Sequence, residues 1–263
     1  MGELRRRWPE CRVYGLTGPR CRAAGAETVF DFAARAAMLA GVVGVLGRAW
    51  RAIRAVERAW QQQRPDVVVL MDSPELNLRL ARRARRMGLP VLYYIAPQTW
   101  AAREYRNRQI ARDVDRLACI LPFEQGYFRR HLIWAEYVGH PLFEALTAQR
   151  PAEALLHKLR GPGTPLIALL PGSREHVIEA MLPRQLEVVH RLRSWRSDIR
   201  AAISCVSPQR LEQVRRLRAA RGVPAEIVVA DNASLLTAAD LALVASGTVT
   251  LEVAYFGKPM VVM

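Results

Sequence analysis

The sequence predicts an α/β protein of two parallel-sheet units, and two observations carry that fold class. Short apolar, β-branched runs alternate with longer arginine-rich amphipathic segments. Alternation of this kind builds parallel sheets flanked by helices. It breaks once near the middle of the chain and then restarts. The 263 residues are 51% apolar, 24% charged and 7% aromatic. That composition excludes disordered, collagen-like and low-complexity classes and leaves enough chain for one large core or two smaller ones.

The elements follow in order. Residues 12–16 read as a strand ended by the Gly18-Pro19 turn, and 49–63 as a helix. Residues 66–71 read as a buried strand, 76–87 as a helix closed by Gly88, and 90–95 and 117–121 as further strands. A polar helix follows Gly139-His140-Pro141, and then comes Gly161-Pro162-Gly163-Thr164-Pro165, the strongest linker signature in the chain. In the second half, strands are expected at 166–170, 199–204, 227–229, 241–244 and 260–263. Helices are expected at 177–194, 208–221 and 248–256. The expected domains are 1–145 and 146–263, with a cleft between them. A chain that opens in the last half of a helix and stops inside a strand reads as a fragment at both ends.

Lys+Arg 39 against Asp+Glu 24 gives a net charge of +15, and only Lys158 and Lys258 are lysines. Arginine of this abundance fits an anionic partner (nucleic acid, an acidic membrane surface or a phosphorylated substrate) or else a solvated basic surface. Cys11, Cys21, Cys119 and Cys205 show no CxxC spacing, so neither a metal site nor a disulfide framework is expected. The longest apolar run, 36–46, is shorter than the roughly 20 residues of a membrane span. The N-terminus lacks a signal-peptide pattern, so the expected location is cytoplasmic.

Four segments can carry chemistry. The run 166–174 is a strand, a Pro171-Gly172-Ser173-Arg174 turn and a helix start. Free amides, the helix dipole and the Arg174 fork can bind a phosphate there. The bland alternative is an ordinary turn with Ser173 as N-cap. In 243–252, Ser246, Gly247 and Thr248 leave room for a diphosphate. Glu252, one turn beyond Thr248, can accept bonds from ribose hydroxyls. Asp72 ends a buried strand, where α/β sheets place ligands, and can act as general base; alternatively it caps the helix that starts at Pro74. The 93–103 turn projects Trp100 and Arg103, a pair suited to a sugar or an acyl phosphate, with core packing as the alternative for Trp100.

Taken together these residues resemble the lipid-A-disaccharide synthases, glycosyltransferases of the two-domain GT-B fold. The resemblance covers essentially the whole chain. It rests on Gly18-Pro19-Arg20, the 41–47 segment, Asp72-Ser73-Pro74 with Asn77, Ala96-Pro97 with Trp100-Ala101, and Leu121-Pro122-Phe123-Glu124. It extends through Val138-Gly139-His140-Pro141, Pro171-Gly172-Ser173-Arg174, and Ala245-Ser246-Gly247-Thr248 with Leu251-Glu252.

The resemblance implies two Rossmann-like domains, both incomplete in this chain: an acceptor- and membrane-facing one over 1–145 and a UDP-sugar-binding one over 146–263. It implies metal-free, inverting transfer of diacylglucosamine from UDP to the 6-hydroxyl of diacylglucosamine 1-phosphate, with no cofactor. Asp72 would be the base. Gly172, Ser173, Arg174, Ser246, Gly247 and Thr248 would hold the diphosphate, and Glu252 the ribose. The 41–47 segment with Trp50 would face acyl chains or membrane, and the basic charge would favour the anionic inner leaflet. The partner expectations are the two acylated sugars, that membrane surface, no nucleic acid, and a homodimer. The family's Gly-Glu-x-Ser-Gly-Asp loop lies before this chain's start. Its Trp-Ala-Trp-Arg is Trp100-Ala101-Ala102-Arg103 here, and a family Glu is Val177. On these departures the chain is expected to turn over little, if at all. The alternatives are another UDP-sugar GT-B enzyme, of the peptidoglycan glucosaminyltransferase or UDP-GlcNAc epimerase type, and, more remotely, a basic nucleic-acid-binding protein.

Overall fold

A computed structural model describes residues 2–31, 42–161 and 163–263. The 41–47 segment therefore lies partly outside the described residues. The chain forms two compact units, Met1–Gly139 and His140–Met263.

The first unit contains α1 (Gly2–Arg7), β1 (Tyr14–Gly15), α2 (Pro19–Ala23), β2 (Glu27–Thr28), α3 (Val42–Gln62), β3 (Val68–Met71) and α4 (Pro74–Arg86). After these come β4 (Val91–Tyr94), α5 (Asn107–Asp113), β5 (Arg116–Cys119), α6 (Pro122–Arg130) and β6 (Ala135–Tyr137). Strands β3-β4-β5-β6 form a parallel sheet in that order, and β1 and β2 make a separate short parallel pair. The core gathers Ile53, Val56 and Trp60 of α3 with Val68, Leu70, Leu80, Tyr93 and Phe128.

Strand β3 differs from the expectation of burial throughout. Val68 and Leu70 are buried, but Val67, Val69 and Met71 are about half exposed. Among the described residues only one face of the strand packs on the core, so alternate side chains meet solvent.

The second unit contains α7 (Pro141–Thr147), α8 (Glu153–Leu159), β7 (Leu166–Leu170), α9 (Glu175–Trp195), β8 (Arg200–Cys205) and α10 (Leu211–Arg221). It continues through β9 (Glu226–Val229), α11 (Asn232–Ala238), β10 (Leu241–Val244), α12 (Val249–Tyr255) and β11 (Met260–Val262). Its parallel sheet runs β11-β10-β7-β8-β9. The chain winds outward from β7 through β8 to β9, crosses back to β10 and winds outward the other way. The order therefore reverses between β7 and β10. One face packs α9 and α10 through Leu182, Leu186, Val189 and Val214. The other packs α8, α11 and α12 through Leu159, Leu235, Leu236 and Val253.

The division falls at Gly139, six residues before the expected boundary, and the glycine-proline segment at 161–165 lies inside the second unit. Local contacts explain both. In α7, Phe143 stacks on Tyr255 of α12 at 5.9 Å, and the Thr147 and Tyr255 hydroxyls lie 3.1 Å apart. Arg200 of β8 donates to the carbonyls of Leu159 at 2.8 Å and Lys158 at 3.0 Å, which ties the end of α8 to the sheet.

Candidate functional site

In the first unit, the expected site residues gather at the carboxyl ends of two adjacent strands. Met71 pairs with Tyr94, so the turns after β3 and β4 lie side by side. Asp72 and Ser73 both adopt left-handed backbone, at φ 51° and 42°. Two consecutive non-glycine residues in that region are strained and need support from their surroundings. Buried Asn77 supplies it: its Nδ2 donates to the carbonyls of Met71 at 2.8 Å and Asp72 at 2.7 Å. The Tyr93 hydroxyl donates to the same Asp72 carbonyl at 2.6 Å.

The Asp72 carboxylate is exposed and has no hydrogen-bond or ion-pair partner among the described residues. It does not cap α4. Ser73 is the N-cap residue, and it makes no side-chain bond.

The turn after β4 is pinned from below. Trp100 Nε1 donates to Glu124 Oε1 at 3.0 Å, and Phe123 meets the indole edge-on at 5.0 Å. Trp100 is 39% exposed, so it is not a core residue. Glu124 is fully buried, and its Oε2 accepts from the backbone amides of Ile120 at 3.1 Å and Leu121 at 3.0 Å. Buried Thr99 and Asn107 share a 2.6 Å bond. Arg103 forms an ion pair with Glu75 of α4, and Arg106 bonds the same Glu75 oxygen at 3.1 Å. The two turns are thus linked, and Arg103 is already paired.

In the second unit the two small-residue turns meet at the point where strand order reverses. Leu170 pairs with Val244, and the amide of Ala245 donates to the Leu170 carbonyl at 2.9 Å. Open α/β sheets bind ligands in the crevice outside such a reversal. Gly172 has φ +100°, and a Cβ there would lie 3.0 Å from Val177 Cγ1 and 3.8 Å from Ala245 Cβ. Only glycine fits without a shift.

The N-cap of α9 is Arg174 rather than Ser173, and no side chain caps the helix. The Val177 amide already donates to the Arg174 carbonyl at 3.0 Å, which leaves the amides of Glu175 and His176 open to an anion. Ser173, Arg174, Ser246, Gly247 and Thr248 are all exposed. Arg174 has no ion-pair partner among the described residues. Beneath both turns lies Gln185 of α9, fully buried, whose Nε2 bridges the carbonyls of Leu170 at 3.3 Å and Leu243 at 3.1 Å.

Glu252 is partly buried on α12, and Asn232 Nδ2 donates to its Oε2 at 3.1 Å. Burial raises the carboxyl above its ordinary 4.5, and the Asn232 bond opposes that rise. No group of three or more metal-ligating side chains occurs among the described residues, and no described helix is long and apolar enough to cross a membrane.

Asn77, Tyr93, Glu124, Gln185 and Asn232 were not expected as chemical or positioning residues. Leu121-Pro122-Phe123-Glu124 does place an acidic residue three after the N-cap, a pattern that marks a helix start. In the sequence, Asn77 and Glu124 belong only to the motifs that carry the family resemblance.

The fold and the strand-end clusters define the class. Parallel α/β units with polar turns at the carboxyl ends of their strands are common to many ligand-binding α/β proteins, and the solved structures that this chain resembles give the fold as the GT-B type. Among solved structures, the chain is similar to UDP-GlcNAc 2-epimerase from Neisseria meningitidis bound to UDP-GlcNAc, with TM-score 0.60 and 11% identity over 95% of this chain and 74% of that one. It is also similar to UDP-GlcNAc 2-epimerase from Methanocaldococcus jannaschii, with TM-score 0.55 and 13% identity over 90% and 68%.

The sequence narrows the class. The family model for lipid-A-disaccharide synthetase matches residues 1–263. The chain is 38% identical to the lipid-A-disaccharide synthase of Solibacter usitatus over 98% of its own length and 68% of that protein's. It is 36% identical to that of Myxococcus xanthus over 99% and 68%. The chain belongs to the lipid-A-disaccharide synthetase family.

Proposed function

We propose that the chain carries the donor and acceptor machinery of an inverting glycosyltransferase. It would move diacylglucosamine from UDP to the 6-hydroxyl of diacylglucosamine 1-phosphate, giving the β-1,6 disaccharide phosphate and UDP. The first unit is then the acceptor- and membrane-facing domain, and the second the UDP-sugar domain.

The observation that carries this reading is the meeting of the 172–174 and 246–248 turns at the β7–β10 reversal in a member of this family. Open amides of α9, the unpaired Arg174 and the small residues Ser246, Gly247 and Thr248 suit a diphosphate. Glu252 is the acceptor for ribose hydroxyls. Asp72, exposed and unpaired, takes the proton of the 6-hydroxyl as its oxygen bonds to the donor's anomeric carbon. The bond from that carbon to the UDP oxygen breaks as the new one forms. Stabilising the departing diphosphate falls to the 172–174 and 246–248 turns. Trp100 and Phe123 offer an apolar edge to the acceptor.

Trp50 supports an anionic inner-membrane surface as partner, on the cytoplasmic side. It is 45% exposed, with the Arg79 and Arg83 guanidinium carbons 5.9 and 5.3 Å from its ring centroid. An aromatic ring beside guanidinium groups suits an interface with acidic headgroups.

The test follows UDP and disaccharide 1-phosphate after the two acylated substrates are mixed with the chain. Their one-to-one appearance, however slow, supports the reading. UDP release without disaccharide, or equal transfer from unacylated UDP-GlcNAc, overturns it.

A further inference from the structure

Three elements of the second unit converge on one amide. Asn232 opens α11 directly after β9, Ser204 lies next to the last residue of β8, and Glu252 lies on α12 after β10. The Ser204 hydroxyl, 3% exposed, donates to Asn232 Oδ1 at 2.6 Å. This bond fixes which way the amide faces, because Oδ1 is occupied and the Nδ2 group must point the other way. There it donates to Glu252 Oε2 at 3.1 Å.

The neighbouring carboxylate does not compete. Asp231 is turned back into α11, where its Oδ1 accepts from the Ser234 amide at 2.9 Å and its Oδ2 from the Ser234 hydroxyl at 2.7 Å. Glu252 has no cation within ion-pair distance among the described residues, and its Oε1 has no described hydrogen-bond partner. One oxygen is therefore held and the other is left to accept. A half-buried carboxylate without a cation tends to take up a proton, and a protonated carboxyl accepts less well. The Asn232 bond favours the ionised form.

We propose that Asn232, oriented by Ser204, is a positioning residue that holds Glu252 as a fixed acceptor for the ribose hydroxyls of a nucleoside diphosphate. The inference rests on the donor-site reading above and adds to it two residues that reading does not require. Asn232 acts through Glu252 and need not touch the nucleotide.

The test is calorimetric titration of the whole chain with UDP and with 2′-deoxy-UDP. The protein is compared with its Asn232→Asp and Ser204→Ala variants, with circular dichroism as the check on folding. Asn232→Asp keeps the shape and the bond from Ser204 but removes the donor to Glu252. The unaltered protein is expected to bind UDP about tenfold more tightly than the deoxy compound, the scale of one hydrogen bond to a charged group. In Asn232→Asp that preference falls to about twofold or less, while affinity for the deoxy compound stays nearly unchanged. Ser204→Ala lies between. Rescue by Asn232→Gln is not expected, because the longer side chain cannot keep both bonds.

Full preference for UDP in both variants overturns the inference and leaves the donor-site reading standing. So does an equal loss for both nucleotides, which marks a structural role. An unaltered protein that binds both nucleotides equally removes ribose-hydroxyl recognition and overturns the inference. One that binds neither overturns the donor-site reading as well.

Discussion

The side-chain amide of Asn77 donates to the carbonyl oxygen of Asp72 at 2.7 Å, and this bond holds the turn that presents the Asp72 carboxylate. The same carbonyl accepts from Tyr93, whose hydroxyl is pushed well above its ordinary value, mainly by burial. Left-handed backbone costs roughly 1–2 kcal/mol at each non-glycine residue. Two such residues in sequence persist because the carbonyls around them are tied down from inside.

Asn77→Ala is expected to destabilise the chain by about 1–3 kcal/mol, since it removes the side-chain donor to the Met71 carbonyl and one of the two donors to the Asp72 carbonyl. It should lower turnover while sparing UDP affinity, because it lies in the other unit from the donor turns. Urea denaturation and UDP titration check both statements.

Asp72→Asn keeps the shape of the side chain and removes the base. Whatever turnover the unaltered chain shows should fall by at least ~100-fold, the scale of general-base catalysis. UDP affinity and stability should be unaffected, because the carboxylate has no described partner to lose. Unchanged turnover in this variant would remove Asp72 from the reaction.

Gly172→Ala meets two obstacles: a φ of +100° and a contact of 3.0 Å with Val177 Cγ1. The backbone term alone is about 1–2 kcal/mol, so UDP affinity should fall about tenfold as the turn shifts. Adding Val177→Ala clears the contact but not the backbone strain, and should restore only part of the loss. Titration of the single and double variants separates the two causes.

Glu252 gives stability a pH dependence of known sign. Burial raises its carboxyl in the folded chain above the ordinary 4.5. Above that pH the folded state therefore holds more protons than the unfolded one. This contribution to stability is fully present below pH 4.5 and is lost as pH rises through the raised folded value. Glu252→Gln should abolish that loss. Denaturation midpoints of the two proteins across the acid range should then converge toward low pH and diverge above it.

Much of the frame was legible in the residues. The expected bounds of β7 and β10 match the structure, because Leu166-Ile167-Ala168-Leu169-Leu170 and Leu241-Ala242-Leu243-Val244 are contiguous apolar runs with turn residues close on either side. The turn at Gly172 was legible for the same reason. The strand expected at 117–121 ends at Cys119 because Leu121 caps α6 through the Glu124 box, a signal that lies outside the apolar run. Helix α11 was missed because its seven residues carry too little apolar period, although Asp231 and Ser234 form its start. Strand order is a tertiary property. Nothing local to Leu170 or Val244 says that they pair, and so nothing local says that the two turns meet. Asn77, Glu124 and Asn232 stay hidden for the same reason. Each acts on a backbone or side-chain group that only the fold brings near.

The central claim is that the second unit holds the UDP of an acylated sugar donor. Displacement of bound UDP by the diacylated UDP-glucosamine, set against displacement by plain UDP-GlcNAc, tests it most directly. The account predicts that both displace UDP, that the acylated compound does so at lower concentration, and that Arg174→Ala weakens both. Failure of either compound to displace UDP, or equal displacement by the two, would contradict it.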